Sequence, residues 1–452
     1  MRHTNLALAL LTAAVLTACG GNGSKPGDQT LKTKFSSMVT FGDSLADVGT
    51  YAVGGVAALG GGKWTINGDN TAKDPVLTGK NWSELVSAQL GLGPSCAAQT
   101  GLIGTGTFAV AVTNHAGCFN YAQGGARVTS PYGRGNPAIE PGGFAMTVPV
   151  VQQVANHLAL SGGKFSGTEL VTVTAGGNDI LVLMGGLSAA ATAAGSAAGA
   201  TTFATSLTGQ LAAGAPNPAT AAQAIGLAIQ TEAAKPGHTD TSVVTAGVTA
   251  AVMAGNTAAG NPAVYGPMVA KAQADATAAG NKAGADYFTA NAPGVVTAMA
   301  TAGTELANLV KTQIIGKGAT KVVVNNLPDV ASTPSAMAQT ADVRGVIASA
   351  VDAFNKALSA GVNGQSQVLY VDLWTISHDQ ITNPGPYGLT NTKDVACGTN
   401  ALGGSSLACN GSNVIAGNIG HYMFADSVHP TPYEYSLVAR YVLEQMVEAG
   451  WL

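Results

Sequence analysis

Val39-Thr40-Phe41-Gly42-Asp43-Ser44-Leu45-Ala46-Asp47-Val48-Gly49 places a serine where a short apolar run stops and a run of small residues begins. Met38 to Phe41 has the length and apolar character of a buried strand, and Gly42-Asp43-Ser44 suits a tight turn into the next element. A serine at that junction sits at the carboxyl end of a strand, where ligands collect in an α/β sheet. The same three residues would equally serve as a helix cap, with Asp43 or Ser44 accepting backbone N–H bonds. The remainder of the chain has to separate a nucleophile from a cap.

A second junction of the same kind follows further on. Glu169 to Thr174 is short and β-branched, and it runs into Ala175-Gly176-Gly177-Asn178-Asp179. Lys321 to Asn326 is a buried strand turning out through Leu327-Pro328-Asp329, and Val368 to Leu373 is a further strand. Apolar residues at helical spacing fill the intervals: Asn81 to Leu90, Val148 to Leu160, Leu306 to Ile315 and Asp342 to Leu358. The last helix is expected to start at Thr431 as N-cap, with Pro432 in the first position, and to run through Glu448. Strands alternating with helices imply an α/β fold with a mostly parallel sheet covered on both faces.

From about 185 to 301 the composition turns to Ala, Gly and Thr with few charges. Alanine favours helix while the glycines and prolines interrupt it, so short helices are expected here rather than long ones. This insertion would be a lid over the site or a decoration of the domain. The α/β domain is therefore expected in two pieces, 36–184 and 302–452.

The chain has 452 residues, 46% hydrophobic and 10% charged, with a formal net charge of −4. No cluster of Lys and Arg supplies the electrostatic footprint of a nucleic-acid binder. Arg2 and His3 precede an apolar segment from Leu6 to Leu16, followed by Leu16-Thr17-Ala18-Cys19-Gly20, which has the layout of a secretory signal over residues 1–18. The cysteine after Leu-Thr-Ala resembles a bacterial lipobox, implying lipidation of Cys19, attachment to a membrane surface and, with Gly20 following, the outer membrane of an exported lipoprotein. Residues 19–35 read as a tether. Cys96, Cys118, Cys397 and Cys409 remain, an even number that reads as disulfides in an exported chain. Three pairings are open, and proximity favours Cys96 with Cys118 and Cys397 with Cys409. No spacing suggests a metal site.

Just before the last helix lies Asp426-Ser427-Val428-His429-Pro430. A serine nucleophile needs a base, and the base needs an orienting carboxylate. A three-residue separation on a loop lets Asp426 reach one imidazole nitrogen of His429 and leave the other for Ser44. With Gly-Asp-Ser-Leu first, Asn120-Tyr121-Ala122-Gln123-Gly124-Gly125-Ala126 next, then Gly176-Gly177-Asn178-Asp179 and this final block, the chain resembles the GDSL, or SGNH, family of serine esterases and lipases. Asn325-Asn326-Leu327-Pro328-Asp329 is similar to the branch holding plant GDSL lipases and bacterial autotransporter esterases. The resemblance implies a three-layer, flavodoxin-like α/β/α fold and an acyl-serine mechanism without metal or cofactor. It implies Ser44 as nucleophile, His429 as acid/base and Asp426 as its orienter. The oxyanion donors would be the Ser44 N–H, an N–H of the Gly124-Gly125 pair, Gly125 by the family's count, and the Asn178 amide. An acyltransferase, a carbohydrate acetylesterase or a surface-binding lipoprotein on an inactive scaffold would share these blocks. A monomer acting on an ester substrate is the expected state.

Overall fold

The computed structural model describes residues 32–71 and 78–452. The expected signal peptide, Cys19 and most of the tether lie outside them.

Four parallel strands form the central sheet in the spatial order in which they occur: β1 (Met38–Gly42), β2 (Leu170–Thr174), β3 (Val322–Asn325) and β4 (Val368–Val371). Thr40 pairs with Thr172, Thr172 with Val323 and Val323 with Leu369, so one row of side chains crosses the whole sheet. Phe119 to Gln123 runs parallel along the free edge of β1, where Thr40 N–H donates to the Phe119 carbonyl at 3.0 Å and Tyr121 N–H to the Thr40 carbonyl at 2.8 Å. Counting this segment in chain order makes the arrangement 2-1-3-4-5, the flavodoxin-like order, whose ligands bind where the winding reverses beside the first strand.

Strand side chains alternate between two cores. Val39, Phe41, Val171, Val173, Val322 and Val324 pack against α2 (Val150–Leu160), the last turns of the insertion and α7 (Ala341–Val362). Leu170, Val323 and Val371 pack on the opposite face against α1 (Trp82–Gln89) and α9 (Pro432–Glu448) through Trp82, Val86, Tyr435 and Val442. Three layers result, as the alternation of strands and helices predicts. Thr431 caps α9, its Oγ1 accepting the Glu434 N–H at 3.2 Å.

The insertion departs from expectation. Instead of short helices it holds α3 (Gly177–Ala212, 36 residues), α4 (Pro218–Ala233), α5 (Asp240–Met253) and α6 (Pro262–Leu309, 48 residues). At 1.5 Å per residue α3 extends about 54 Å. The glycines are its packing surface rather than its breaks. A Cβ on Gly195 would lie 2.8 Å from the Gly280 carbonyl oxygen, and one on Gly280 would lie 2.9 Å from that of Gly195. Only bare backbone lets the two helices approach this closely. Pro218 and Pro262 stand in first turns, where no helical N–H is lost. Pro267 and Pro293 lie inside α6, whose later turns are held by the buried Val295, Met299 and Leu306. At the far end Leu207, Leu211, Ile225, Ile229 and Val243 make a core of their own.

Cys96 is bonded to Cys118 and Cys397 to Cys409, the pairing that proximity favours. The first staple fixes the segment that edges β1. The second closes the loop carrying Ser406, whose N–H reaches the Asp426 carboxylate.

Candidate active site

Ser44 follows β1, Gly124 and Gly125 follow the edge segment, and Asn178 opens α3 after β2. The fold thus gathers three sequence-distant junctions at the reversal point of the sheet, and the loop before α9 brings Asp426 and His429 to the same place. All of them line one cavity of about 1090 Å³ except Gly124, which lies behind Gly125.

The Ser44 Oγ is 2.9 Å from His429 Nε2, and His429 Nδ1 is 2.9 Å from each Asp426 oxygen. Ser44 is 8% exposed, Asp426 8% and His429 9%, so the line of side chains is nearly closed to bulk water. Burial alone would raise the Asp426 carboxyl. The facing His429 imidazole outweighs it, helped by N–H bonds from Ser406 at 2.8 Å and Val428 at 3.0 Å, and holds the carboxyl well below the usual range. An ionised Asp426 can only accept, which makes His429 Nδ1 the protonated nitrogen and leaves Nε2 to accept the Ser44 hydroxyl proton.

Ser44, Gly125 and Asn178, each with an N–H, line the same cavity. Among the described residues no acceptor takes the Ser44 or Gly125 N–H. The Asn178 Nδ2 spends one hydrogen on the Ala126 carbonyl at 3.0 Å and keeps the other. The Gly124 N–H is committed, donating to Asp47 Oδ2 at 2.9 Å. Gly124 serves close packing instead: a Cβ there would lie 2.2 Å from the Trp64 indole nitrogen.

The neighbouring acids hold loops. Asp43 Oδ1 accepts the Leu45 N–H, Asp47 Oδ1 those of Gly49 and Thr50, and Asp179 Oδ2 that of Val128, while Arg127 Nε reaches Asp179 Oδ1 at 3.0 Å. Burial pushes the Asp43 carboxyl up to about 7, against the Leu45 N–H and His429. His421 bonds the Gly388 carbonyl and stacks on Tyr433, apart from the line of Ser44, His429 and Asp426.

Several neighbours carry no local signal. Trp64 comes from a Gly-rich loop, yet its ring lies 4.7 Å from that of His429. Ser406 reaches Asp426 from the loop closed by Cys397 and Cys409. Asp329, 6% exposed, takes the His378 Nδ1 at 2.8 Å on the cavity wall, after the helix α8 (Leu373–Thr382) brings His378 over it. Of residues 185–301, only Gly185 and Ser188 line the cavity.

Glu434, also on the wall, is 2% exposed, and its Oε2 has no partner. Burial pushes its carboxyl up to about 8, against contributions from Gln380 and Arg440. Because the folded value is raised, the stability it supports is complete below the unfolded value and is lost as pH rises toward about 8. Glu434→Gln keeps the shape and removes the titration. Its melting temperature relative to the native chain is expected to be higher at pH 8.5 than at pH 5, and a difference independent of pH would contradict this.

Among the described residues no three His, Cys, Asp or Glu side chains cluster as metal ligands would.

Part of the chain is similar to known proteins. A model of the GDSL-like lipase/acylhydrolase family matches residues 272–442, a span that contains Asp426 and His429. A GDSL esterase/lipase of Arabidopsis thaliana is 36% identical over 81 residues, 18% of this chain and 22% of that protein. A second from the same plant is 29% identical over 161 residues, 32% of this chain and 43% of its own length, and a third is 28% identical over 154 residues, 31% and 41%. The chain thus spans less than half the length of these curated relatives. With the parallel α/β sheet and the four motif blocks in order, the chain is similar to the GDSL lipase/acylhydrolase family.

Proposed function

We propose that this protein is a serine hydrolase cleaving carboxylic esters through an acyl-serine intermediate. The observation that carries the reading is the 2.9 Å approach of Ser44 Oγ to an imidazole whose other nitrogen is held by a buried carboxylate. His429 Nε2 takes the hydroxyl proton as Ser44 Oγ bonds the substrate carbonyl carbon. The resulting oxyanion is met by the Ser44 and Gly125 N–H groups and the Asn178 amide, Gly125 rather than Gly124 because the Gly124 N–H already belongs to Asp47. The imidazolium returns the proton to the leaving alcohol. Water then repeats the sequence on the acyl-serine, again giving its proton to His429, and frees the acid. Asp426 holds the tautomer throughout and stays ionised.

The cavity walls support an acyl-ester substrate class. Leu181, Met184, Leu327, Val330, Val343 and Ile347 give it an apolar side that suits an acyl chain. A chain-length series of p-nitrophenyl esters tests the reading: kcat/KM is expected to rise from acetyl to longer acyl groups. A preference for acetyl alone would favour a carbohydrate acetylesterase and contradict it. Asn178→Ala, which removes one oxyanion donor, is expected to lower kcat by about 10²–10³ with little change in KM. A change confined to KM would remove Asn178 from that role.

Two disulfides support an oxidising, exported location. The Leu16 to Gly20 run supports cleavage before Cys19, its lipidation and attachment of the domain, residues 36–184 with 302–452, at an outer-membrane surface.

A further inference from the structure

Behind the oxyanion donors lies a hydrogen-bonded chain that the reaction itself does not require. Tyr51 is completely buried, and its hydroxyl donates to the Gly124 carbonyl at 2.7 Å while accepting the Thr147 N–H at 3.3 Å. The Gly124 carbonyl and the Gly125 N–H belong to one planar trans peptide and point in opposite directions. Tying the carbonyl back to Tyr51 therefore turns the N–H the other way, on a residue that lines the cavity with Ser44 and Asn178.

Thr147 is the one non-glycine among the described residues with a positive φ, 52°, a conformation β-branched residues avoid. Its Oγ1 accepts the Gly133 N–H at 3.3 Å and an Asn136 Nδ2 hydrogen at 3.0 Å, and donates to the Pro131 carbonyl at 3.0 Å. These bonds press the 133–134 backbone onto Gly125. A Cβ on Gly125 would meet the Arg134 carbonyl oxygen at 2.1 Å and Thr147 Cγ2 at 2.6 Å, and one on Gly133 would fall 1.7 Å from the Gly125 oxygen. The peptide is thus gripped from one side by Tyr51 and Asp47 and from the other by the loop that Thr147 holds.

We infer that Tyr51 and Thr147 are positioning residues of the oxyanion hole, forming a relay from Thr147 N–H through the Tyr51 hydroxyl to the Gly124 carbonyl that aims and polarises the Gly125 N–H. Hydrogen bonds in such a chain strengthen one another, so the terminal N–H is a better donor than an isolated peptide's. Burial, reinforced by the Asp47 carboxylate, raises the Tyr51 hydroxyl well above its ordinary value and keeps it a donor at any working pH. The inference rests on Ser44 as nucleophile.

Tyr51→Phe removes one oxygen. With p-nitrophenyl butyrate, and with active sites counted by fluorophosphonate titration, kcat is expected to fall about tenfold while KM stays within about twofold. Inhibition by butylboronic acid, whose tetrahedral adduct needs the same donors, should weaken by the same factor. An unchanged kcat per active site, or a loss confined to KM, would overturn the inference even if the melting temperature falls. Should Tyr51→Phe not fold, Thr147→Ala and Thr147→Ser decide: both keep the strained φ, and only serine keeps the hydroxyl. Activity lost with alanine and restored with serine supports Thr147 as a positioning residue through the loop its hydroxyl holds against Gly125, and equal activity in both overturns the inference. Ser44→Ala tests the underlying reading separately, since an active Ser44→Ala enzyme would refute the nucleophile whatever Tyr51 does.

Discussion

Ser44→Ala is expected to lower kcat for p-nitrophenyl butyrate by about 10⁶-fold, the scale seen when a serine hydrolase loses its nucleophile. The fold should survive, because among the described residues the Ser44 hydroxyl bonds only His429 and carries no part of the β1 pairing. Residual turnover would come from the oxyanion donors and binding alone. Steady-state kinetics beside a thermal melt measure both halves. Activity within about tenfold of the native chain would exclude an acyl-serine route at this residue.

Asp426→Asn carries the next largest expected effect, about 10⁴ in kcat. An amide cannot offer two ionised oxygens to His429 Nδ1, and the imidazole can turn over to the tautomer whose Nε2 bears hydrogen and accepts nothing from Ser44. The substitution also loses a carboxylate that accepts N–H bonds from Ser406, Val428 and His429. The direction with pH follows from linkage. The folded carboxyl is held below its unfolded value, so its stabilisation is present above that value and is lost as pH falls through the folded one. Denaturant unfolding should therefore show Asp426→Asn less stable than the native chain at pH 7, with the gap narrowing at pH 3. A kcat unchanged by Asp426→Asn would leave His429 without its orienter and would contradict the mechanism.

Much of the candidate site was legible because its residues sit at local signals. Ser44 and Asn178 each follow a short apolar run, the Gly124-Gly125 pair follows the segment that edges β1, and these ends meet at the winding reversal of a parallel sheet. Asp426 and His429 are close enough in sequence to find each other without knowledge of the fold. The helix cap at Thr431 was legible for the same reason.

What was not legible depends on distance. Tyr51 and Thr147 are 96 residues apart and meet only in the folded chain. Trp64 comes to His429 from a loop with no periodicity. The insertion shows how a propensity argument fails in a defined way. Glycine weakens an isolated helix, but where Gly195 and Gly199 face Gly280 and Gly284 it permits the contact that stabilises both partners. Proline likewise stops a helix from within and starts one at Pro218 and Pro262. A reading that counts breakers without knowing what they face predicts fragments, and the chain forms helices of 36 and 48 residues. Their course also moves the substrate question back to the α/β domain, since the cavity walls beyond Ser188 come from other elements.

The central claim is that Ser44 is the residue acylated. Reaction with a fluorophosphonate, followed by peptide mass spectrometry, tests it directly. The expected result is one adduct per chain on the peptide bearing Ser44, formed in step with loss of esterase activity. Activity lost with the adduct on another residue and Ser44 unmodified would contradict the account.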